Sequence, residues 1–122
     1  MRLFKQVDSK FIDDLENLTI KKPKRSTELS AGYDFYAPKT YVINPGESAI
    51  IPTYIKAYME SDEVLIIAPR SSFGYNYDMV IKSTIGVGKH FAQGIFMKYL
   101  ITDDDHEDKK EERRGGIGST SI

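Results

Sequence analysis

Short β-rich runs, separated by proline and glycine, follow one another from residue 31 to residue 101, and this pattern constrains the fold more than any other feature. Strands at this spacing, with turn sequences such as Asn44-Pro45-Gly46 between them, are typical of a sandwich, a jelly roll or a barrel. We therefore predict an all-β domain over residues 1–102. The predicted strands cover residues 2–7, 31–37, 40–43, 48–52, 54–59, 64–68, 78–87 and 91–101.

Two segments near the N-terminus do not follow the β pattern. Residues 11–20 (FIDDLENLTI) have apolar side chains near helical spacing, which predicts a short helix or helical turn. Residues 21–25 (KKPKR) hold four cations around a proline. This run is read either as a solvated loop or as an electrostatic contribution to a nearby anion site.

Composition excludes several classes of protein. The chain has 122 residues, which fits one domain, and its 17 Lys and Arg against 18 Asp and Glu give a formal charge of −1. This balance does not favour nucleic-acid binding. The absence of cysteine excludes disulfides and thiol nucleophiles. No apolar run is long enough to cross a membrane, and residues 1–6 do not resemble a signal peptide, so we expect a cytoplasmic protein.

The C-terminal part of the chain changes in composition at residue 103. Residues 103–114 (DDDHEDKKEERR) contain no apolar residue and predict a solvated linker. A glycine-rich segment, residues 115–121, follows this linker. Glycine at that density forms no core, so we expect the segment either to extend freely or to wrap a ligand. We treat residues 103–122 as a charged linker and C-terminal arm.

Two segments of the β region carry chemistry. In residues 31–37 (AGYDFYA) an acid, Asp34, lies among apolar and aromatic residues, where it either faces water at a strand edge or holds a metal through its waters. In residues 69–74 (PRSSFG) a guanidinium and two hydroxyls follow a predicted strand. Such a turn suits a phosphate, although a plain turn is equally common.

Two further segments lie nearer the C-terminus. The first is residues 88–93 (GKHFAQ), in which His90 is a weak catalytic candidate. Gly86 to Lys89 briefly resemble a Walker A loop, but Ser83 stands where that loop needs glycine and His90 where it needs serine or threonine. Residues 113–120 combine two arginines, three glycines and two hydroxyl side chains. This combination suits a polyphosphate, and its alternative interpretation is a disordered terminus.

Taken in order, these four segments resemble the motifs of the homotrimeric, all-β dUTPase family. Residues 31–37 resemble its first motif, residues 69–74 its second, residues 91–93 (FAQ) its fourth and residues 113–121 its fifth. The resemblance implies a distorted jelly-roll subunit of a homotrimer, with active sites at subunit interfaces and a C-terminal arm that closes a neighbour's site. It also implies dUTP as the substrate, hydrolysed with Mg²⁺ to dUMP and pyrophosphate.

Carried over by position, the resemblance assigns a role to each matching residue. Asp34 would hold Mg²⁺ through water, and Ile117 would cover the base. Either Arg113 or Arg114 would act as an arginine finger. The residues that would bind the phosphates are Arg70, Ser71, Ser72, Gly74, Gln93, Arg113, Arg114, Gly116, Gly118, Ser119 and Thr120.

The sequence departs from the family pattern most clearly between Val87 and Gly88. The family's third motif, a hairpin that carries a catalytic Asp and a Tyr under the deoxyribose, belongs there, and no Asp or Tyr follows Val87 before Gln93. A few tens of residues are missing, so the catalytic residue stays unassigned. In addition, Ile117 replaces the usual Phe, and His90 replaces a common Arg.

Three functions are compatible with this pattern. The first is dUTP hydrolysis in nucleotide pool sanitation, by a homotrimer that binds neither nucleic acid nor membrane. The second is a catalytically silent relative that binds nucleotide or a protein partner. The third is a relative of dCTP deaminase, which the tail of residues 113–121 fits less well than it fits a dUTPase.

Overall fold

The computed structural model describes residues 1–69 and 83–112, and strands form most of its regular structure. Three single turns of 3-10 helix accompany the strands, at Ser9–Phe11, Leu15–Asn17 and Asp105–Glu107. The strands within the described residues are β1 (Leu3–Gln6), β2 (Tyr33–Tyr36), β3 (Tyr41–Ile43), β4 (Ile55–Tyr58), β5 (Glu63–Pro69), β6 (Ser83–Ile85) and β7 (His90–Lys98).

The all-β prediction is confirmed, with local differences. Of the strand predicted over residues 78–87 the structure has Ser83–Ile85, and residues 78–82 lie outside the described residues. Residues 11–20 contain 3-10 turns, and no helix longer than a single turn forms there. The strand predicted over residues 48–52 is wrong, since that stretch has no regular structure. Pro52 has no N–H to donate to a ladder, and Tyr54 has a positive φ of 57°, so the regular strand β4 begins only at Ile55.

Every strand pairs in an antiparallel manner, and the partners are distant in sequence. β1 pairs with β4, β3 pairs with β6, and β7 lies between β2 and β5 in a three-stranded sheet. With nine residues, β7 is the longest of the strands in the described ranges, and it forms the centre of this sheet. Because β2 lies within the first candidate motif and β5 leads into the second, β7 brings separate parts of the sequence to one surface.

The core lies between β1 and one face of the three-stranded sheet. Phe4, Phe35 and Ala92 are its buried centre. The ring of Phe4 meets that of Phe35 edge-on, with centroids 5.6 Å apart, a favourable aromatic geometry. A Cβ on Gly94 would lie 2.9 Å from Phe35 Cε2, so the ring packs directly against the β7 backbone. The partly buried side chains that pack around this centre are Tyr33, Ile55, Ala57, Leu65, Phe91 and Phe96.

The opposite face of the same sheet is apolar but partly open to solvent. Residues 64–68 read as a buried strand, yet Val64 and Ile66 are 36% and 48% exposed, and Met97 beside them is 49% exposed. Alternation along β5 directs only every second side chain toward the core. On the other face Ile67 is 55% exposed as well, so the prediction that residues 64–68 form a buried strand is wrong within a single subunit.

A polar cluster ties β1 to the start of β5, at the end of the sheet away from Pro69. Arg2 forms an ion pair with the buried carboxylate of Glu63, and the Glu60 N–H donates to Glu63 Oε1 at 2.8 Å. The hydrogen bond from Glu60 is the main cause that lowers the pKa of Glu63. Glu63 is therefore ionised at neutral pH, and its charge is matched by Arg2.

The chain leaves β7 as an exposed segment. Residues 103–112 are exposed apart from the half-buried Asp105, to which Lys110 forms an ion pair. The division into a domain and an arm remains a prediction, because most of the arm lies outside the described residues. Among the residues that the structure covers, no helix is long and apolar enough to span a membrane.

Candidate functional site

One row of the three-stranded sheet brings together residues from the first and fourth candidate motifs, next to the start of the second. Gln93 on β7 lies opposite Asp34 on β2, and on its other side it lies opposite Ala68 on β5. Residues that are paired across strands project to the same face. The Asp34 carboxylate and the Gln93 amide are therefore neighbours, and the second motif begins at Pro69, one residue after this row.

Burial of the opposite face determines this arrangement. Phe35 and Ala92 are paired with each other, are buried at 3% and 7% exposure, and point into the core. Because successive side chains in a strand alternate, Asp34 and Gln93 must point away from the core. A shift of one residue would exchange the two faces, so the hydrophobic core fixes the site's register.

Gly32 is a residue of this site that sequence reasoning missed. It is buried, and a Cβ on it would lie 2.3 Å from Gln93 Oε1. The Gln93 side chain thus lies over the Gly32 backbone. The glycine in the AGYDFYA segment was visible in the sequence, but its contact with Gln93 depends on pairing between distant strands.

A Gly32→Ala variant should displace the Gln93 side chain and leave the fold intact. The shortest clash is with the Oε1 end of a flexible side chain, but Gln93 Cβ would also lie only 3.3 Å away, so we expect the free energy of unfolding to fall by about 1 kcal/mol. With the phosphate-binding role that the family resemblance implies for Gln93, losing this one hydrogen bond should weaken dUTP binding about tenfold. Calorimetric titration of dUTP measures the binding, and urea denaturation measures the stability.

A double-mutant cycle with Gln93→Ala is the matched control for this prediction. Once the Gln93 amide is absent, Gly32→Ala should weaken dUTP binding no further. Additive losses in the double variant would show that Gly32 acts by a route other than Gln93.

Asp34 lies in a partly buried environment with an aromatic neighbour. Its N–H donates to the Lys24 carbonyl at 2.7 Å, which holds this end of β2 against the preceding segment. Two residues along the strand, the pKa of Tyr36 is raised, first by burial and then by the negative charge of Asp34. Tyr36 therefore remains protonated at neutral pH beside the carboxylate.

The donor set fits a magnesium ion that is bound mainly by water and substrate. Within residues 1–69 and 83–112, no three His, Cys, Asp or Glu side chains cluster as a ready metal site. Mg²⁺ is commonly held by one or two carboxylates together with waters and substrate phosphates. Asp34 provides one carboxylate on the open face of the sheet, which is compatible with that mode of binding.

A tight turn occupies the position that the third motif has in the family pattern. Residues 86–89 join β6 to β7, with the Lys89 N–H donating to the Gly86 carbonyl at 3.1 Å and Gly88 at a φ of 77°. This is the geometry of a type II turn, which requires a positive φ at its third residue. The Gly88 N–H also donates to the Ala37 carbonyl at 2.8 Å. The turn is thus anchored to the segment after β2.

His90 begins β7 directly after this turn. It lies opposite Tyr36, next to a β-bulge that shifts the pairing between Phe35 and Tyr36. The bulge places one extra residue, Phe91, between the two pairs. His90 is therefore close to the row of Asp34 and Gln93, at the end of the sheet that adjoins the turn.

The remaining predicted site residues lie outside the described part of the chain. Their roles stay predictions. They are Arg70, Ser71, Ser72 and Gly74 of the second motif, and Arg113, Arg114, Gly116, Ile117, Gly118, Ser119 and Thr120 of the arm.

Comparison with known proteins identifies the family. The family model for dUTPase matches residues 19–85, more than half of the chain. The chain belongs to the dUTPase family. A deoxyuridine 5'-triphosphate nucleotidohydrolase of Lactococcus lactis is 38% identical, with 86% of this chain and 91% of that protein covered. The corresponding protein of Haemophilus influenzae is 31% identical over 76% of this chain and 64% of its own length.

Solved dUTPase structures confirm the fold. The dUTPase of Streptococcus mutans superposes with a TM-score of 0.66 and 26% identity, over 83% of this chain and 98% of that one. A dUTPase of Staphylococcus bacteriophage 80alpha has a TM-score of 0.68 at 14% identity, over 98% of this chain and 92% of its own. The second likeness concerns the fold alone.

The comparisons also agree with a shortened region before β7. The alignment with the Lactococcus lactis protein extends over 136 residues but covers only 86% of this chain. Since the whole chain has 122 residues, that alignment includes positions for which this chain has no residue. The family-model match ends at residue 85, immediately before the turn of residues 86–89.

Proposed function

We propose that this protein binds dUTP and, with Mg²⁺, hydrolyses it between the α- and β-phosphates to dUMP and pyrophosphate. Its role would be sanitation of the nucleotide pool in the cytoplasm. The observation that carries this proposal is the pairing of Asp34 with Gln93, beside the start of the second motif, in a member of the dUTPase family.

Positioned charge accounts for most of the catalysis in phosphoryl transfer, and the row of side chains suits that task. Asp34 would hold Mg²⁺ through water, and the ion would neutralise and orient the phosphates. The Gln93 amide would donate to a phosphate oxygen. The residue that activates the attacking water is not assigned, because the family's third motif is not in this sequence.

We further propose that the active assembly is a homotrimer in which the arm of one subunit closes the site of another. The apolar face formed by Val64, Ile66 and Met97 supports this assembly. These side chains share the sheet face of Asp34 and Gln93, by strand alternation. A second subunit that covers this face would bury apolar surface and lie next to the site.

The test is pyrophosphate release from dUTP with Mg²⁺, on protein whose intact mass and oligomeric state have been measured. We expect release that stops when EDTA removes the metal. Ammonia release from dCTP under the same conditions would instead identify a deaminase. Binding of dUTP with no release of pyrophosphate would overturn hydrolysis and select the second candidate.

The second candidate is a nucleotide-binding relative without turnover, and the direct turn between β6 and β7 favours it. The third motif would carry the general base, and loss of a general base typically costs about 10²- to 10⁴-fold in rate. In the turn of residues 86–89, the N–H groups of Gly88 and Lys89 already have hydrogen-bond acceptors without that motif. Such a protein would retain phosphate binding at Gln93 and lose the chemical step.

A further inference from the structure

The basic run of residues 21–25 lies along the edge of the candidate site. The Thr19 N–H donates to the Pro38 carbonyl at 2.8 Å, and the Asp34 N–H donates to the Lys24 carbonyl at 2.7 Å. Residues 19–24 therefore run antiparallel to β2 along its free edge, and Pro23 is buried there. The run is docked on the sheet, so the position of its first lysine is tied to the site.

Lys21 reaches from this edge toward the turn before β7. Its ammonium lies 5.3 Å from the ring centroid of Tyr36, a cation–π contact. A Cβ on Gly88 would lie 3.1 Å from Lys21 Nζ, so the ammonium also approaches the turn of residues 86–89. The lysine thus bridges the first motif and the turn.

Lys21 forms no ion pair among the residues described, which leaves its ammonium available to an anion. Asp34 is two residues from Tyr36 on the same strand face, and His90 lies opposite Tyr36. The Tyr36 ring contacts only one side of the Lys21 ammonium, so the remaining N–H groups can donate to an oxyanion.

We propose that Lys21 is a phosphate-binding residue, whose ammonium contacts an oxyanion of the substrate's polyphosphate chain at the end of the site nearest the turn. This inference rests on the proposed function, because it assigns the ligand of the same site. Tyr36 positions the ammonium through its ring, and the absence of a side chain on Gly88 leaves room for it. The alternative role for Lys21 is only to pack residues 19–24 against β2.

Pyrophosphate with Mg²⁺ is the direct probe, and its dissociation constant can be measured by calorimetry. We expect Lys21→Gln to raise that constant about five- to tenfold at low salt, because one charge contact is lost. In 0.5 M NaCl the difference should fall below about twofold, because salt screens the interaction. Lys21→Arg should restore most of the affinity, since it keeps the charge.

Lys22→Gln is the matched control, because Lys22 is the adjacent exposed lysine and its removal makes the same change in net charge. An equal loss in Lys22→Gln would overturn the specific role of Lys21. Unchanged pyrophosphate affinity in Lys21→Gln, with a lowered melting temperature, would show that Lys21 only packs the edge.

These outcomes are separate from those of the proposed function. Wild-type protein that binds pyrophosphate and releases none from dUTP would overturn hydrolysis, while the variants still decide the role of Lys21. Wild-type protein that binds neither dUTP nor pyrophosphate would overturn both.

Discussion

The Asp34→Asn variant should lose about 10- to 100-fold in kcat/KM for dUTP. This range is typical of replacing a residue that holds a metal ion indirectly, by hydrogen bonds to its ligands. Asn keeps the shape of the side chain and the backbone pairing with Gln93. It removes the negative charge that would orient the waters of Mg²⁺. The Mg²⁺ concentration at which the rate reaches its maximum should therefore rise.

Initial rates of pyrophosphate release, measured over a series of Mg²⁺ concentrations, test this prediction. Asp13→Asn is the matched control, because Asp13 is an exposed carboxylate on the N-terminal segment and should leave the kinetics unchanged. Should Asp34→Asn retain the wild-type dependence on Mg²⁺, Asp34 would have no part in holding the metal. If the wild-type protein has no turnover, the affinity for dUTP in the presence of Mg²⁺ replaces the rate as the readout.

The Phe35→Ala variant should lose about 3–5 kcal/mol of unfolding free energy, which is typical of removing a buried aromatic ring. Phe35 is 3% exposed, and its ring packs against Phe4 and the backbone of Gly94. On this side the ring meets backbone, so refilling of the cavity would depend on movement of neighbouring side chains such as Leu65. Since small domains are stable by about 5–15 kcal/mol, this loss is a large fraction of the total.

Urea denaturation at one fixed protein concentration measures the effect, because association of subunits would make stability depend on concentration. Phe11→Ala is the control, since Phe11 is 70% exposed and should change stability by less than about 0.5 kcal/mol. A loss below about 1 kcal/mol in Phe35→Ala would contradict the assignment of Phe35 to the core.

Local sequence signals were sufficient for most strands. β2, β5 and β7 were predicted because apolar runs of the right length end at turn residues or at charged segments. The strand predicted over residues 48–52 failed because its apolar content resembles that of a strand, whereas Pro52 lacks an N–H and the positive φ of Tyr54 interrupts the extended backbone before β4. Composition alone could not reveal that backbone conformation.

The site was predictable in part. The order of the motifs indicated that Asp34 and Gln93 serve one site, and the structure places them opposite each other. The contacts of Gly32 with Gln93 and of Lys21 with Tyr36 had no local signal. Each contact joins two residues that are separated in the sequence, so it depends on which segments the fold brings together.

The amino-acid sequence by itself determined the all-β class, the family and the residue types of the site, because turn residues, apolar alternation and ordered motifs are local properties. Tertiary structure alone decided that β7 lies between β2 and β5, and that a type II turn joins β6 to β7. It also decided that Lys21 reaches the site edge. The physical reason is that strand register follows from burying Phe35 and Ala92 together, a long-range packing requirement that no single segment encodes.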